Sequence, residues 1–307
     1  LVCALYRGDG KGRFEDVTQS AGLTHRGWGQ GVAVADYDND GRLDLYVSSI
    51  RSNQRWFSQD FNVRGYVMNL VQSGRRAGLQ GTFLDLRQHL GDDWARVGQH
   101  ELAGNYLLRN LGNGEFADHS EASGTRLNGW YWGSGFLDLD NDGWLDLYVT
   151  NYVEFSLDRN PWCGDSQKDM RAYCDPDIFR GVPDKLYRNI GAGHFVDVSV
   201  KSGIAKEVGK GLGVVAGDID NDGDMDLYVA NDKVMNLLFL NDGSGHFIED
   251  ALFTGVGFNE NGKAEAGMGV DFGDVNRDGW LDLFVTNFSG ESNTLYLNDQ
   301  NGSFTDK

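Results

Sequence analysis

The chain has 307 residues, 40% of them apolar, and a formal net charge of −19 with a sequence pI of 4.5. So large an acidic excess excludes nucleic acid as a partner, because phosphate binding needs a basic face. No apolar run reaches the roughly 18 residues of a membrane-spanning helix, so no transmembrane segment is expected, and the apolar content is ample for a sizeable core.

The first predicted element is a β-hairpin from Leu5 to Phe14, whose apolar arms flank a Gly/Asp turn. A glycine-rich apolar run follows, Gly29-Gln30-Gly31-Val32-Ala33-Val34-Ala35. It leads into the acidic string Asp36-Tyr37-Asp38-Asn39-Asp40-Gly41-Arg42-Leu43-Asp44 and then into Leu45-Tyr46-Val47, which alternates like a strand. Residues 52–104 abandon this pattern. Val63, Tyr66, Val67, Leu70 and Val71 share one helical face, and Phe83, Leu86, Leu90, Trp94 and Val97 form a second stripe, with Thr82 and Asp85 resembling a helix-start cap. A helical insertion is predicted there, as a structural cover for one end of the barrel, a partner-docking lid or a wall of a ligand pocket.

The same sequence of signals then returns. The hairpin recurs at Leu107 to Phe116, Leu186 to Phe195, Leu238 to Phe247 and Leu295 to Phe304. Glycine runs recur at Gly133 to Leu137, Gly211 to Ala216 and Gly267 to Val270, and acidic strings at Asp138 to Asp146, Asp218 to Asp226 and Asp274 to Asp282. The repeat units cover about 5–51, 105–153, 185–233 and 237–289, with a partial unit at 294–307 and a loop insertion at 154–184. Each supplies about four short strands, which fits a β-propeller blade. The predicted class is therefore all-β: a single propeller domain over 1–307 with four-stranded blades, in a partial or trimmed version of the seven-bladed type. The start at Leu1 without an initiator Met is read as a fragment or trimmed chain, and no signal peptide is visible.

The acidic strings carry the chemistry. Oxygen ligands at positions 1, 3, 5 and 9, the carbonyl of position 7 and a sharply turning Gly at position 6 suit a hard divalent cation. The ligand sets are Asp36, Asp38, Asp40, Arg42 (carbonyl) and Asp44; Asp138, Asp140, Asp142, Trp144 (carbonyl) and Asp146; Asp218, Asp220, Asp222, Asp224 (carbonyl) and Asp226; and Asp274, Asn276, Asp278, Trp280 (carbonyl) and Asp282. At an effective dielectric near 20, two carboxylates about 4 Å apart repel by roughly 4 kcal/mol, so an empty loop of four acids strains the fold. Calcium fits better than magnesium, since a flexible loop offers six or seven oxygens. An EF-hand is excluded: its position 12 needs a bidentate Glu, whereas here it is Val47, Val149, Val229 or Val285. Four structural calcium ions are expected, each saturated by its own loop and leaving no open position for substrate.

Cys163 and Cys174 bracket a short polar loop and are read as a disulfide, against the alternative of two free thiols; Cys3 has no partner within the chain. Trp28, Trp130, Tyr131 and Trp132 precede inner strands, where they would either stack on a sugar or peptide at the axis or fill the core. His194 and His246 share one turn position and are read as decorative, while His25, His89, His100 and His119 are scattered without a nucleophile nearby, so no catalytic constellation is found.

The glycine run and acidic string together resemble the FG-GAP/VCBS repeat of integrin α-subunit propellers. Asn151-Tyr152-Val153-Glu154-Phe155, Cys163, Cys174, the segment Gly181 to Asn189 and the segment Gly129 to Gly135 further resemble the cartilage acidic protein (ASPIC/UnbV-like) type. That resemblance covers nearly the whole chain and implies a secreted, periplasmic or cell-surface calcium-binding propeller. The fourth loop departs from the pattern at Asn276 and Arg277, implying a weaker site. The function expected is an exported interaction or adhesion module with a protein or glycan partner. Alternatives are a lyase or hydrolase using the axial pocket, or a structural subunit of a larger extracellular assembly.

Overall fold

Alternating aromatic and β-branched residues make each strand, and glycine or asparagine in the left-handed region turns the chain between them. A computed structural model describes residues 4–23, 28–51, 104–127, 129–155, 161–165, 170–172 and 174–307. The predicted helical insertion, Cys3, His25, His89 and His100 lie outside those residues.

An opening hairpin, β1 (Tyr6–Gly8) and β2 (Phe14–Asp16), is followed by four antiparallel groups of strands. The first consists of β3 (Trp28–Ala35), β4 (Asp44–Arg51), β5 (Tyr106–Gly112) and β6 (Glu115–Asp118), with a helical turn α1 (Ser120–Ser123) after it. The second consists of β7 (Gly129–Leu137), β8 (Asp146–Asn151), β11 (Lys185–Asn189) and β12 (Phe195–Asp197); the small pair β9 (Gly164–Asp165) and β10 (Met170–Arg171) interrupts it. The third and fourth are clean four-stranded sheets: β13 (Gly211–Gly217), β14 (Asp226–Asn231), β15 (Leu237–Asn241) and β16 (Phe247–Glu249), then β17 (Gly267–Gly273), β18 (Asp282–Asn287), β19 (Thr294–Asn298) and β20 (Phe304–Asp306). These are propeller blades. One departure is that Ile50 and Arg51 pair with Trp130 and Gly129, which joins the first two blades into one eight-stranded sheet.

Pairing also shows that the sequence repeat and the blade are out of phase. The hairpin that opens each repeat completes the sheet of the repeat before it: Leu107 lies opposite Tyr46, Leu186 opposite Tyr148 and Leu238 opposite Tyr228. Local signals mark turns and strands, but which strand a hairpin joins is a tertiary choice.

The core is layered between successive blades. Tyr37, Tyr46, Leu107, Tyr131, Leu147 and Phe195 fill the space between blades one and two; Leu139, Tyr148, Leu186, Leu227 and Phe239 between two and three; Ile219, Tyr228, Leu238, Leu283 and Tyr296 between three and four. The second residue of each acidic loop shows the effect of this stacking. Tyr37, Leu139 and Ile219 are at most 3% exposed beneath the next blade, whereas Val275 in the last blade is 58% exposed.

Glycine in the inner strands permits the close stacking. A Cβ on Gly31 would sit 2.4 Å from the Trp132 carbonyl oxygen, one on Gly133 2.6 Å from that of Leu212, and one on Gly213 2.6 Å from that of Met268. Each glycine thus touches the backbone of the next blade, which cannot yield as a side chain would.

At the other end of each blade a polar clip precedes the third strand. Asn105 Oδ1 accepts from the Ser49 N–H, Asn236 Oδ1 from Asn231 and Asn293 Oδ1 from Asn287, at 2.8, 2.8 and 3.0 Å. The second blade uses Asp184 instead, accepting from the Asn151 N–H at 2.7 Å and from the Tyr148 hydroxyl at 2.7 Å. Burial pushes the Asp184 carboxyl up to about 7, against the pull of those two donors.

Two outcomes are expected from this architecture. Gly133→Ala and Gly213→Ala should each lower unfolding free energy by about 1–3 kcal/mol through overpacking, whereas Gly269→Ala, whose Cβ would meet only the Thr286 hydroxyl at 3.0 Å, should cost much less; urea titration reads the difference. Because the folded pKa of Asp184 lies above its unfolded value, its contribution to stability is full below about pH 4 and lost as pH rises towards about 7. Asp184→Asn should therefore stabilise the chain at pH 8 by about 1–3 kcal/mol and flatten that part of the pH profile, with equal stabilisation at pH 4 and pH 8 counting against this account.

Candidate metal centres

Each acidic string forms a compact loop joining the first two strands of a blade. Position 4 adopts positive φ, at 54° for Asn39, 56° for Asn141, 58° for Asn221 and 63° for Arg277, and the Gly at position 6 does likewise. Asparagine tolerates this conformation better than arginine does, so the fourth loop also departs in backbone chemistry.

The position 1 carboxylate organises the loop by accepting two of its own amides. Asp36 takes the N–H groups of Asp40 and Gly41 at 2.9 and 2.8 Å, and Asp138, Asp218 and Asp274 repeat this with the residues at positions 5 and 6. The position 5 carboxylate accepts the N–H of position 7, from Arg42, Trp144, Asp224 or Trp280. Position 9 is the buried floor: Asp44, Asp146, Asp226 and Asp282 are at most 1% exposed. One of its oxygens accepts the position 2 N–H, and the other accepts the N–H of an asparagine in the third strand. Burial pushes Asp44 up to about 6 and Asp146 and Asp226 up to about 7, with the neighbouring acids of each loop adding to the rise.

Carboxylate oxygens converge in three of the loops. Asp36, Asp38 and Asp40 bring ligand atoms within 4.8 Å of one another, as do Asp138, Asp140 and Asp146, and Asp218, Asp220 and Asp226. In the fourth loop the Asn276 amide donates to Asp278 Oδ2 at 2.8 Å, and Gln300 Nε2 donates to the same oxygen at 2.9 Å. Position 3 provides the test of fit. Asp38 Oδ1 and Asp140 Oδ1 are buried with no hydrogen-bond partner, and the Asp38 side chain is only 7% exposed. A buried, partnerless anionic oxygen facing other carboxylates fits a hard cation and little else.

Sequence reasoning passed over the third-strand asparagines. Asn110, Asn189, Asn241 and Asn298 occupy the same position in the four later hairpins, three residues after the opening Leu, and that recurrence was the available signal. Their N–H groups hold the position 9 acids. The side-chain amides of Asn189, Asn241 and Asn298 also reach back to the preceding blade's loop, donating to the carbonyls of Tyr37, Leu139 and Ile219 at 2.8, 2.9 and 2.9 Å. Each blade's floor residue is thereby tied to the loop beside it.

Elsewhere, Cys163 and Cys174 form the expected disulfide, with Cα atoms 5.1 Å apart. Tyr131 belongs to the core. Trp130 and Trp132 stay half-buried, packing edge-on against Tyr152, with Phe155 beyond Trp130 and Phe179 beyond that. Their indole Nε1 atoms are buried without a partner. His194 Nδ1 lies 3.0 Å from the Ala122 carbonyl of the preceding blade. His119 Nδ1 contacts the Tyr37 hydroxyl at 2.9 Å.

Antiparallel blades built from a repeat, each with an acidic loop between its first two strands, define a repeat-built β-propeller. The family model for the FG-GAP-like repeat matches residues 3–47, 92–149, 174–229, 218–285 and 274–307, and the chain belongs to that family. Cartilage acidic protein 1 of Xenopus tropicalis is 32% identical over 302 residues, a match covering 89% of this chain and 42% of that protein. The Mus musculus and Homo sapiens proteins of the same name are each 30% identical over 161 residues, covering 52% of this chain and 22% and 21% of theirs. The chain spans less than half the length of these relatives. Among solved structures, a lectin of Agrocybe aegerita matches at 16% identity with a TM-score of 0.43, covering 98% of this chain and 59% of that one.

Replacing Asn241 by Ala should remove the amide that serves the buried Leu139 carbonyl and the partly buried Met225 carbonyl, at about 1–3 kcal/mol. Asn110→Ala should cost less, because its Nδ2 donates to the Leu43 carbonyl at an exposed site and, among the described residues, makes no bond to a preceding blade; thermal denaturation of the two variants checks the order.

Proposed function

We propose that the chain is part of an exported, calcium-binding propeller that serves as a protein or glycan interaction module, with calcium in a structural role. The observation that carries the metal is the pair of buried, partnerless oxygens on Asp38 and Asp140, set among converging carboxylates. Asp36, Asp38, Asp40 and Asp44 would hold one ion, and the equivalent residues of the other loops would hold theirs. Bound calcium would supply the positive charge that lets these acids share a corner. The chain's own residues do the rest: position 1 shapes the loop, position 9 anchors it to the blade and the third-strand asparagine joins blade to blade. In this reading the blades form one propeller domain, with 52–104 and 154–184 as insertions.

The interaction role is supported by the aromatic face at Trp130, Trp132, Tyr152 and Phe155. These half-buried rings pack edge-on against one another and present a stacking surface suited to a sugar ring or peptide. Export is supported by the disulfide, which persists in oxidising compartments, and by millimolar extracellular calcium, which fills loops of ordinary affinity.

Each loop filled at a hundredfold excess over Kd adds about 2.7 kcal/mol. Chelation should therefore lower Tm by more than about 10 °C when several loops empty, and calcium, added back, should restore it. A melting curve indifferent to chelator would remove structural calcium from the reading.

A further inference from the structure

The four loops differ in what stands behind them. Pairing places Leu108, Tyr187, Phe239 and Tyr296 at one equivalent position, opposite Leu45, Leu147, Leu227 and Leu283. The next residue is Arg109 in the first blade and Arg188 in the second, but Leu240 in the third and Leu297 in the fourth. Both arginines turn onto the adjacent loop. Arg109 Nε lies 2.5 Å from Asp38 Oδ2, and its Nη2 lies 3.5 Å from Asp40 Oδ2. Arg188 Nη2 contacts Asp140 Oδ2 and lies 3.2 Å from Asp142 Oδ2. Arg42 adds a second guanidinium on Asp40.

The geometry divides the position 3 carboxylate between two tasks. Its Oδ2 pairs with the guanidinium, while Oδ1 stays buried and partnerless among the other acids. This is how an outer partner orients a metal ligand while leaving the ligating atom free. It also places a fixed positive charge beside the loop whether or not an ion is present. The third loop has no such device. It carries five acids, Asp218, Asp220, Asp222, Asp224 and Asp226, and among the described residues no Lys or Arg forms an ion pair with any of them. Asn141 reaches Asp224 Oδ1 at 2.9 Å, but an amide brings no net charge. The fourth loop lowers its demand differently, with Asn276 in place of an acid.

We propose that Arg109 and Arg188 are internal counter-cations that keep the first two loops formed without metal, leaving the third loop as the one whose shape depends on a divalent ion. The proposal rests on the loops' binding calcium. It turns four nominally equal sites into a graded set in which metal depletion acts first on the blade three corner. The rest of the arc keeps its shape.

The test uses the whole chain with calcium or with EDTA, read by hydrogen exchange on peptides spanning the four loops and by thermal melting. In EDTA the peptide over residues 218–226 should lose protection first, while those over 36–44 and 138–146 keep theirs. Arg188→Leu should melt below the parent by more in EDTA than in saturating calcium, with protection at 138–146 lost in EDTA. Leu240→Arg should act in reverse, retaining protection at 218–226 in EDTA, and serves as the test should Arg188→Leu fail to fold. Equal exchange at all four loops in EDTA, or an Arg188→Leu deficit as large in calcium as in EDTA, would overturn the proposal and reduce the arginines to packing. A calorimetric titration of the parent with calcium separates the premise: no uptake overturns the metal reading itself, whereas uptake with uniform exchange overturns only the division among loops.

Discussion

Crowded negative charge at the corner between the first and second strands of each blade is the constraint on which the rest of the structure depends. Three to five acids occupy nine residues, and the last of them is buried almost completely at the floor of the loop. Carboxylates in such a place raise one another's proton affinity and lose hydration, and backbone amides recover only part of that cost. The fold responds by assigning every carboxylate a task. Position 1 collects the loop's own amides, position 5 collects that of position 7, and position 9 bonds to both the loop and the third strand. What is left over, on Asp38 and Asp140, is the oxygen that points to a cation.

Those corners matter beyond their own loops because the blades lean on one another there. Tyr37, Leu139 and Ile219 sit inside the acidic strings yet belong to the apolar layers between sheets. The carbonyls of the same residues accept from the next blade's asparagine. A loop that opened would expose a buried side chain and release a hydrogen bond to its neighbour together. The inner-strand glycines act at the other side of the same contact, letting backbones approach so closely that the corner and the axis are set at once.

Much of this was legible in the residues. D-x-D-x-D-G spacing gives the loop, Val at position 12 excludes the EF-hand, and the alternation after position 9 gives the strand. Cys163 and Cys174 were legible as a pair because so few residues separate them. Less visible were the partners of each feature. Nothing in the string Leu107 to Phe116 says that it pairs with Tyr46 rather than with the strand that follows it. Asn189 and Asn241 recur plainly, but their reach across to Tyr37 and Leu139 needs two blades side by side. Arg188 reads as one more surface charge until Asp140 is seen beside it.

The sequence by itself determined the local chemistry: the turn geometry, the donor oxygens and the strand periodicity all depend on residues within a few positions of one another, where chain connectivity fixes the distances. Only the tertiary structure decided which hairpin closes which blade, which asparagine ties which loop, and which acids receive a guanidinium. Those contacts join residues tens of positions apart, brought together by burial of apolar layers that carry no record of address in the one-dimensional string.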